Sequence, residues 1–218
     1  MRKKKEYPVL ENILITDAAS EGKSISKTDD MVIFVEGAVP GDVADVKIFK
    51  KKKNYAEGKA IRIIKESDKR DAPFCEHFGT CGGCKWQHLQ YEWQLFYKEK
   101  QVYDALTRLG KVELNDKQAI VGSEKTKFYR NKLEYTFSNK RWLEPGEFKP
   151  GEEINEKQNH SLGYHIPGRF DKILDIKNCY LQPEPSNSIR LAVKKFAQEH
   201  DLTFFDLREQ TGFLRNLI

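Results

Sequence analysis

Three of the chain's four cysteines fall within ten residues, in Cys75-Glu-His-Phe-Gly-Thr-Cys81-Gly-Gly-Cys84, and the fourth is Cys179. Any fold of this sequence has to give four thiols something to do. Thiols that merely pack in a core are not expected to bunch in this way at such low cysteine content. Disulfides are disfavoured in a chain without export features. The opening MRKKKEYPVLENI is basic but has no apolar segment behind it, so it does not read as a secretory signal, and the cytoplasm is the expected compartment. Thiolates are soft donors, and four of them hold either a tetrahedral zinc or an iron–sulfur cluster. The C-x5-C-x2-C spacing leaves both open. Gly82 and Gly83 let the backbone wrap closely around a bulky centre with its amides free to meet sulfur. His77 could stand in for a thiolate in a zinc site, but a histidine beside the first ligand reads better as a loop residue.

The remainder of the sequence divides at a charged stretch, Glu66 to Asp71, which carries no apolar periodicity and ends near Pro73. Before it, VLENILIT, MVIFVEG, VADVKIFK and AEGKAIRII are short β-rich runs, with turns expected at Glu21-Gly22, at Val39-Pro40-Gly41-Asp42 and at Glu57-Gly58. About five short strands in so small a unit shield their edges best by closing, which favours an OB-type barrel. After the stretch, Leu95, Val102, Leu106 and Leu109 predict one face of an amphipathic helix over Tyr91 to Leu109, stopped by Gly110. NKLEYTFS alternates as a strand, with Leu133, Tyr135 and Phe137 on one side. Glu144 to His160 reads as a long surface loop. Strands are expected around Leu162 to Ile166 and Lys172 to Ile176. A helix capped at Ser186 or Asn187 should bury Ile189, Val193 and Phe196, and TFFDLRE and GFLRNLI are strand-like. The expected fold class is therefore mixed β and α+β: a β-barrel domain over 1–68 and an α+β, four-cysteine domain over 69–218.

Charge narrows the class of partner. With 38 Lys and Arg against 33 Asp and Glu the formal charge is +5, which permits a polyanion without demanding one. No apolar run is long enough to cross a bilayer, so no membrane partner is expected. Positive charge gathers at Lys3 to Lys5 and at Lys50 to Lys53, interleaved with Tyr7, Phe34, Phe49 and Tyr55. That mixture suits a nucleic-acid groove, although lysine runs also serve as solvated loops.

In order and content these features resemble a known family. EGKSISKTDDMVIFVEGAVPGDVADVKIFKKKKNYAEGKAIRII resembles a TRAM domain, an OB-type RNA-binding barrel. CEHFGTCGGCKWQHLQYEWQLFYKEKQV resembles the cysteine loop and following helix of RNA (uracil-5)-methyltransferases, whose large-subunit ribosomal RNA members carry a 4Fe-4S cluster. YRNKLEYTFS resembles the strand that follows, and DIKNCYLQP puts Cys179 where the fourth ligand belongs. The resemblance implies that Cys75, Cys81, Cys84 and Cys179 hold a 4Fe-4S cluster, with zinc as runner-up. It implies a ribosomal RNA partner, for which Lys50, Lys51, Lys52, Lys53, Tyr55, Lys85, Arg130 and Lys132 are the candidate contacts, while Trp86 could cover the cluster. A monomer is expected. Such enzymes also carry an S-adenosylmethionine site, a nucleophilic cysteine beside prolines and a carboxylate base, none of which is matched here. No catalytic residue is therefore assigned, the chain ends in strand-like sequence as a piece of a longer enzyme would, and by itself it is expected not to methylate. The alternative is a free-standing iron–sulfur or zinc RNA-binding module.

Overall fold

The computed structural model describes residues 7–28, 31–144, 146–147, 151 and 153–218. Lys3 to Lys5, and parts of the expected loop from Glu144 to His160, lie outside the described residues. Contacts gather the chain into two compact units, Met1–Phe74 with Lys85–Gly122, and Cys75–Cys84 with Ser123–Ile218. The chain therefore passes between units at Phe74, Cys84 and Gly122, a different division from the consecutive domains 1–68 and 69–218 expected from sequence.

The first unit is built on six strands: β1 (Val9–Leu14), β2 (Asp17–Ala18), β3 (Ser24–Lys27), β4 (Val32–Glu36), β5 (Val43–Lys51) and β6 (Tyr55–Lys65). Their order in the sheet is β1-β5-β6-β4-β3-β2, with β4 and β6 parallel and the other neighbours antiparallel. The two edge strands are successive pieces of one run of chain, so the sheet curls back on itself. At the join, the Ile15 amide donates to the Asp42 carbonyl and the Ile15 carbonyl accepts from Gly41, both at 2.8 Å. Alternation places Ile33, Val35, Ala44, Val46, Ile48 and Ala56 in one core.

Two expected turns are present. Pro40 and Gly41 take the corners of the turn closed by Asp42 N–H to Val39 O at 3.1 Å, and Gly41 has φ +100°. Glu21 and Gly22 are both left-handed. The third expectation is corrected. Glu57-Gly58 lies inside β6, where a Cβ on Gly58 would come within 2.6 Å of Val46 Cγ1, and the chain reverses instead between β5 and β6. Here the glycine answers a close approach of neighbouring side chains and not a turn.

The charged stretch after β6 folds onto the barrel. Ser67 is buried and its hydroxyl donates to the Pro40 carbonyl at 2.8 Å. Gln90 donates to the carbonyls of Asp68 and Arg70. Beyond it, α1 (Tyr91–Asp104) runs into a wider π-type turn over Ala105–Leu109. Tyr97 is its one buried side chain and packs with Ala18, Val39 and Leu89. Val102 and Leu109, expected on the buried face, are 56% and 84% exposed.

The second unit has a four-stranded antiparallel sheet of β7 (Tyr135–Ser138), β8 (Ser161–Ile166), β9 (Arg169–Asp175) and β10 (Asn216–Leu217), ordered β10-β7-β8-β9. Leu133, Tyr135 and Phe137 all face its core, as alternation requires. Between β7 and β8 lies a short helix, α2 (Glu156–Asn159), capped by Asn155. The helix α3 (Ser186–Glu199) buries Asn187, Arg190 and Ala197, while Ile189 and Phe196, expected inside, are more than half exposed. The observed class is a sheet-rich mixture of strand and helix with one curled β-sheet.

Candidate metal centre and nucleic-acid interface

All four cysteines belong to the second unit. None is in a disulfide, Cys179 is buried, and the other three are partly buried. Cys179 is part of the hydrophobic core and Cys81 packs against it. The loop carrying the first three is wound by its own backbone: Phe78 N–H donates to Cys75 O at 3.0 Å and Cys81 N–H to His77 O at 2.8 Å. Gly82 donates to the His165 carbonyl at 3.2 Å, and a Cβ there would come within 2.6 Å of that oxygen. The Gly83 amide points at Cys81 Sγ, 3.4 Å away.

His77 supplies the tie to the fourth cysteine. Its Nε2 accepts the Lys177 amide at 2.9 Å, two residues before Cys179. An acceptor nitrogen carries no proton, and burial holds the ring's pKa below its usual value. The imidazole thus serves as a brace between loops. Asn187 fixes Cys179 itself, accepting from its N–H at 2.8 Å and donating to its carbonyl at 3.2 Å. The pattern offers Ser186 or Asn187 as the helix cap, but Pro185 stands at the cap position and the Asn187 amide holds the cysteine backbone instead.

Cys75 and Cys81 feel the charge of the neighbouring cysteines. Burial first, and then the neighbouring cysteines, push Cys75 up, and Cys81 up to about 11. Thiols in such a setting stay protonated at neutral pH unless a cation supplies the compensating charge. Two tyrosine hydroxyls lie close to Cys179. The hydroxyls of Tyr135 and Tyr164 are buried and make no hydrogen bond of normal geometry among the described residues. Burial, and next the adjacent Cys179, raise the pKa of both phenols. By chemistry alone, four thiols are soft donors of the kind that hold a zinc ion or an iron–sulfur cluster. Among the described residues, however, no three Cys, His, Asp or Glu side chains are placed to hold a metal ion. The expected 4Fe-4S site, and zinc with it, is not shown by the geometry.

The candidate RNA contacts divide between the units. Lys50 is already engaged: Glu57 takes it together with Lys23, and its ammonium stands 5.7 Å from the Tyr55 ring. Its pairing with Glu57 raises its pKa and lowers that of the carboxyl. Lys51, Lys52 and Lys53 are exposed at the β5–β6 reversal, without an ion pair to any described residue, and Phe49 is exposed beside them. Tyr55 meets Phe34 edge-on at 5.9 Å. The Lys85 Cβ and the Trp86 ring lie against Gly22, and Trp86 packs with Ala18, Val39, Leu89 and Tyr97. Trp86 is thus accounted for by the first unit's own core. In the second unit, Arg130 and Lys132 line a cavity of about 530 Å3 with Leu133, Glu184 and Ile189. No helix of the described residues is long and apolar enough to cross a membrane.

Comparison with known proteins bears on the first unit directly. Residues 11–61 match the TRAM domain. A protein of Bacteroides thetaiotaomicron named "Uncharacterized RNA methyltransferase" is 54% identical over 200 residues, covering 92% of this chain and 44% of that protein. One of the same name from Porphyromonas gingivalis is 50% identical over 207 residues, covering 94% and 44%. The chain thus spans less than half the length of the curated relatives it matches. Among solved structures, the tRNA (uracil-54, C5)-methyltransferase of Pyrococcus abyssi, in complex with S-adenosyl-L-homocysteine, is similar with a TM-score of 0.58. It is 22% identical and the match covers 94% of this chain and 41% of that one, a likeness of fold. The TRAM domain accounts for the curled sheet, and the similarity to the RNA methyltransferases runs through both units.

Proposed function

We propose that this chain is the RNA-holding part of an S-adenosylmethionine-dependent RNA (uracil-5)-methyltransferase. The observation that carries the reading is the continuity of the match: relatives named as RNA methyltransferases align with more than nine-tenths of the chain, TRAM domain and cysteine loop included. They contain this region within much longer proteins and so favour neither a free-standing module nor an inactive piece. Methyl transfer is ascribed to the whole protein.

A base acted on at its ring carbon must leave its stack, so the enzyme has to grip the surrounding RNA. The TRAM domain supplies exposed Lys51, Lys52 and Lys53 for phosphates, next to the apolar face of Phe49. In the second unit, Cys75, Cys81, Cys84 and Cys179 are proposed to hold a 4Fe-4S cluster, whose role is to fix the loop to the core. Arg130 and Lys132 then present charge from that fixed frame. Ribosomal RNA is the proposed substrate because the resemblance pairs a TRAM domain with a cluster. The solved structure is named for transfer RNA, so the choice needs a direct test.

The full-length protein is incubated with labelled S-adenosylmethionine and, separately, with ribosomal RNA and transfer RNA lacking 5-methyluridine. Label appearing in 5-methyluridine of ribosomal RNA is the expected result. Label in transfer RNA alone overturns the substrate, and label at no uridine in either RNA overturns the reaction.

A further inference from the structure

The cavity of about 530 Å3 in the second unit is walled by residues 130–133, by residues 182–186 and by the start of α3. Its frame is tied down. The Arg130 amide donates to the Leu181 carbonyl at 2.8 Å, the Ser186 hydroxyl donates to the Gln182 side chain at 2.6 Å, and Leu133 and Tyr135 belong to the core. Two kinds of surface meet there. Arg130 and Lys132 are exposed and form no ion pair with any described residue. Arg190, also in the wall, is fully buried and gives its NH groups to the carbonyls of Leu162, Ile176 and Lys177, and a guanidinium does not shed its proton. Glu184 is the one carboxylate among the lining residues, and it already accepts from the Ser188 amide at 3.1 Å and hydroxyl at 2.9 Å. The wall is therefore positive. Leu133 and Ile189 make its apolar part, and Ile189 is 53% exposed although it sits on a helix facing the core.

Pockets for small ligands run from roughly 300 to 1,000 Å3 and are apolar with a few placed polar groups. An apolar wall beside two free cations fits a flat ring that carries an anionic group, and the RNA implied by the TRAM domain and the relatives is a chain of such units. We propose that this cavity is a subsite for one unstacked nucleotide of the bound RNA, with its phosphate at Arg130 and Lys132 and its base against Leu133 and Ile189. The proposal rests on the RNA methyltransferase reading. Arg130 offers a phosphate a bidentate fork, Lys132 a point charge, and the side-chain amides of Asn131 and Gln182 offer hydrogen bonds to the base edge. The nucleotide held here is not the one methylated. Attack on a uracil ring carbon needs a nucleophile and a base, whereas no lining residue is a cysteine and Glu184 is engaged. Extruding a target base costs its stacking, and its neighbours lose theirs with it. A cavity that takes up one neighbour offsets part of that cost and holds the RNA in its opened form.

The test uses the full-length protein with ribosomal RNA and transfer RNA lacking 5-methyluridine, in wild type, Arg130→Gln with Lys132→Gln, Ile189→Trp and Leu191→Trp. Leu191 is on the same helix and 44% exposed but does not line the cavity, so it controls for a tryptophan added to α3. Affinity against salt is read, together with the peptides crosslinked to RNA by short-wave ultraviolet light. Wild type is expected to crosslink at peptides containing Leu133 or Ile189. Ile189→Trp fills the cavity without changing charge, and is expected to lose that crosslink and to bind on the order of tenfold more weakly at an unchanged salt slope. The Arg130 and Lys132 double variant is expected to lower the slope by roughly 1–2, and Leu191→Trp to change neither quantity. Ile189→Trp that binds as wild type does, or that loses no more than Leu191→Trp, overturns the subsite while the RNA reading stands. RNA bound without a crosslink at these walls also overturns it and leaves the cavity to another part of the longer protein. Wild type that binds neither RNA overturns the reading on which the proposal rests.

Discussion

Four donors converge on the fully buried Asp42 carboxylate: the amides of Val39 and Ser67, and the Nε and NH2 groups of Arg70, all between 2.7 and 3.0 Å. Removing the cation leaves the anion among groups that cannot match it, and breaking such a pair from one side costs about 3–5 kcal/mol. Arg70→Met is therefore expected to lower unfolding free energy by that amount in urea; an unchanged midpoint would show the pair to be dispensable. His160 answers to pH. It stacks on Phe204 with ring centres 4.0 Å apart, and burial lowers its pKa from 6.5. With the folded value depressed, the unfolded chain binds more protons once pH falls through 6.5, so this penalty is absent above that pH and grows below it. The unfolding midpoint should fall between pH 7.5 and pH 5.5, and His160→Phe, which keeps the stack, should show a smaller fall. A drop as steep in the variant would assign the effect to other groups. At Gly82 the constraint is space. Gly82→Ala puts a methyl against the His165 carbonyl, and iron uptake by the chain should fall with it; uptake at the wild-type level would remove the loop's close fit from the argument.

At the scale of elements, the β5–β6 reversal separates free charge from engaged charge. Lys50 is held by Glu57, whereas Lys51, Lys52 and Lys53 stand in solvent. Counterion release then predicts that Lys→Gln at all three lowers the slope of log affinity for single-stranded RNA against log salt by roughly 2, at ~0.7 per contact. Lys50→Gln should change the slope least; an equal effect from Lys50 alone would contradict this division. The strands were legible because alternation in MVIFVEG and NKLEYTFS reports burial directly: Ile33, Val35, Tyr135 and Phe137 are all inside. The helices α1 and α3 were legible as helices but not in their facing, and the short α2 was read as loop. On α3 the inner positions go to Asn187 and Arg190, which satisfy the backbone around Cys179, Ile176 and Lys177, and this rotates Ile189 and Phe196 outward. On α1 the contact is one short aromatic patch around Tyr97, and the apolar residues beyond it reach no core. Apolar periodicity finds a helix, but polar groups owed to neighbouring loops decide which face goes in. Spacing singled out the four cysteines, which the structure places in one unit without showing a shared metal site among the described residues. Their supports, His77, Asn187 and Arg190, were not legible, because each acts on backbone distant in sequence.

For the whole molecule, the division of the chain has a physical basis that the charged stretch after β6 concealed. Arg70 compensates Asp42, and Leu89 and Tyr97 cover Ala18 and Val39, so the first unit draws on residues well past 68. A fragment ending at 68 would keep Asp42 buried without its cation. It would also expose Ala18 and Val39, worth together about 2–3 kcal/mol of apolar burial. Against a typical domain stability of roughly 5–15 kcal/mol, these losses together leave little margin. A fragment ending at 122, with 75–84 replaced by a flexible Gly-Ser linker, retains both. It is expected to unfold cooperatively in urea, while the 1–68 fragment shows a broad or absent transition by circular dichroism. Equal, cooperative unfolding of the two fragments would restore 1–68 as an independent domain and reduce α1 to an accessory of it. The same linker removes three of the four cysteines, so the longer fragment should bind no iron even when well folded. Iron uptake that follows the loop, while stability follows the residues around Asp42 and Tyr97, is the behaviour expected of two units built on separate cores.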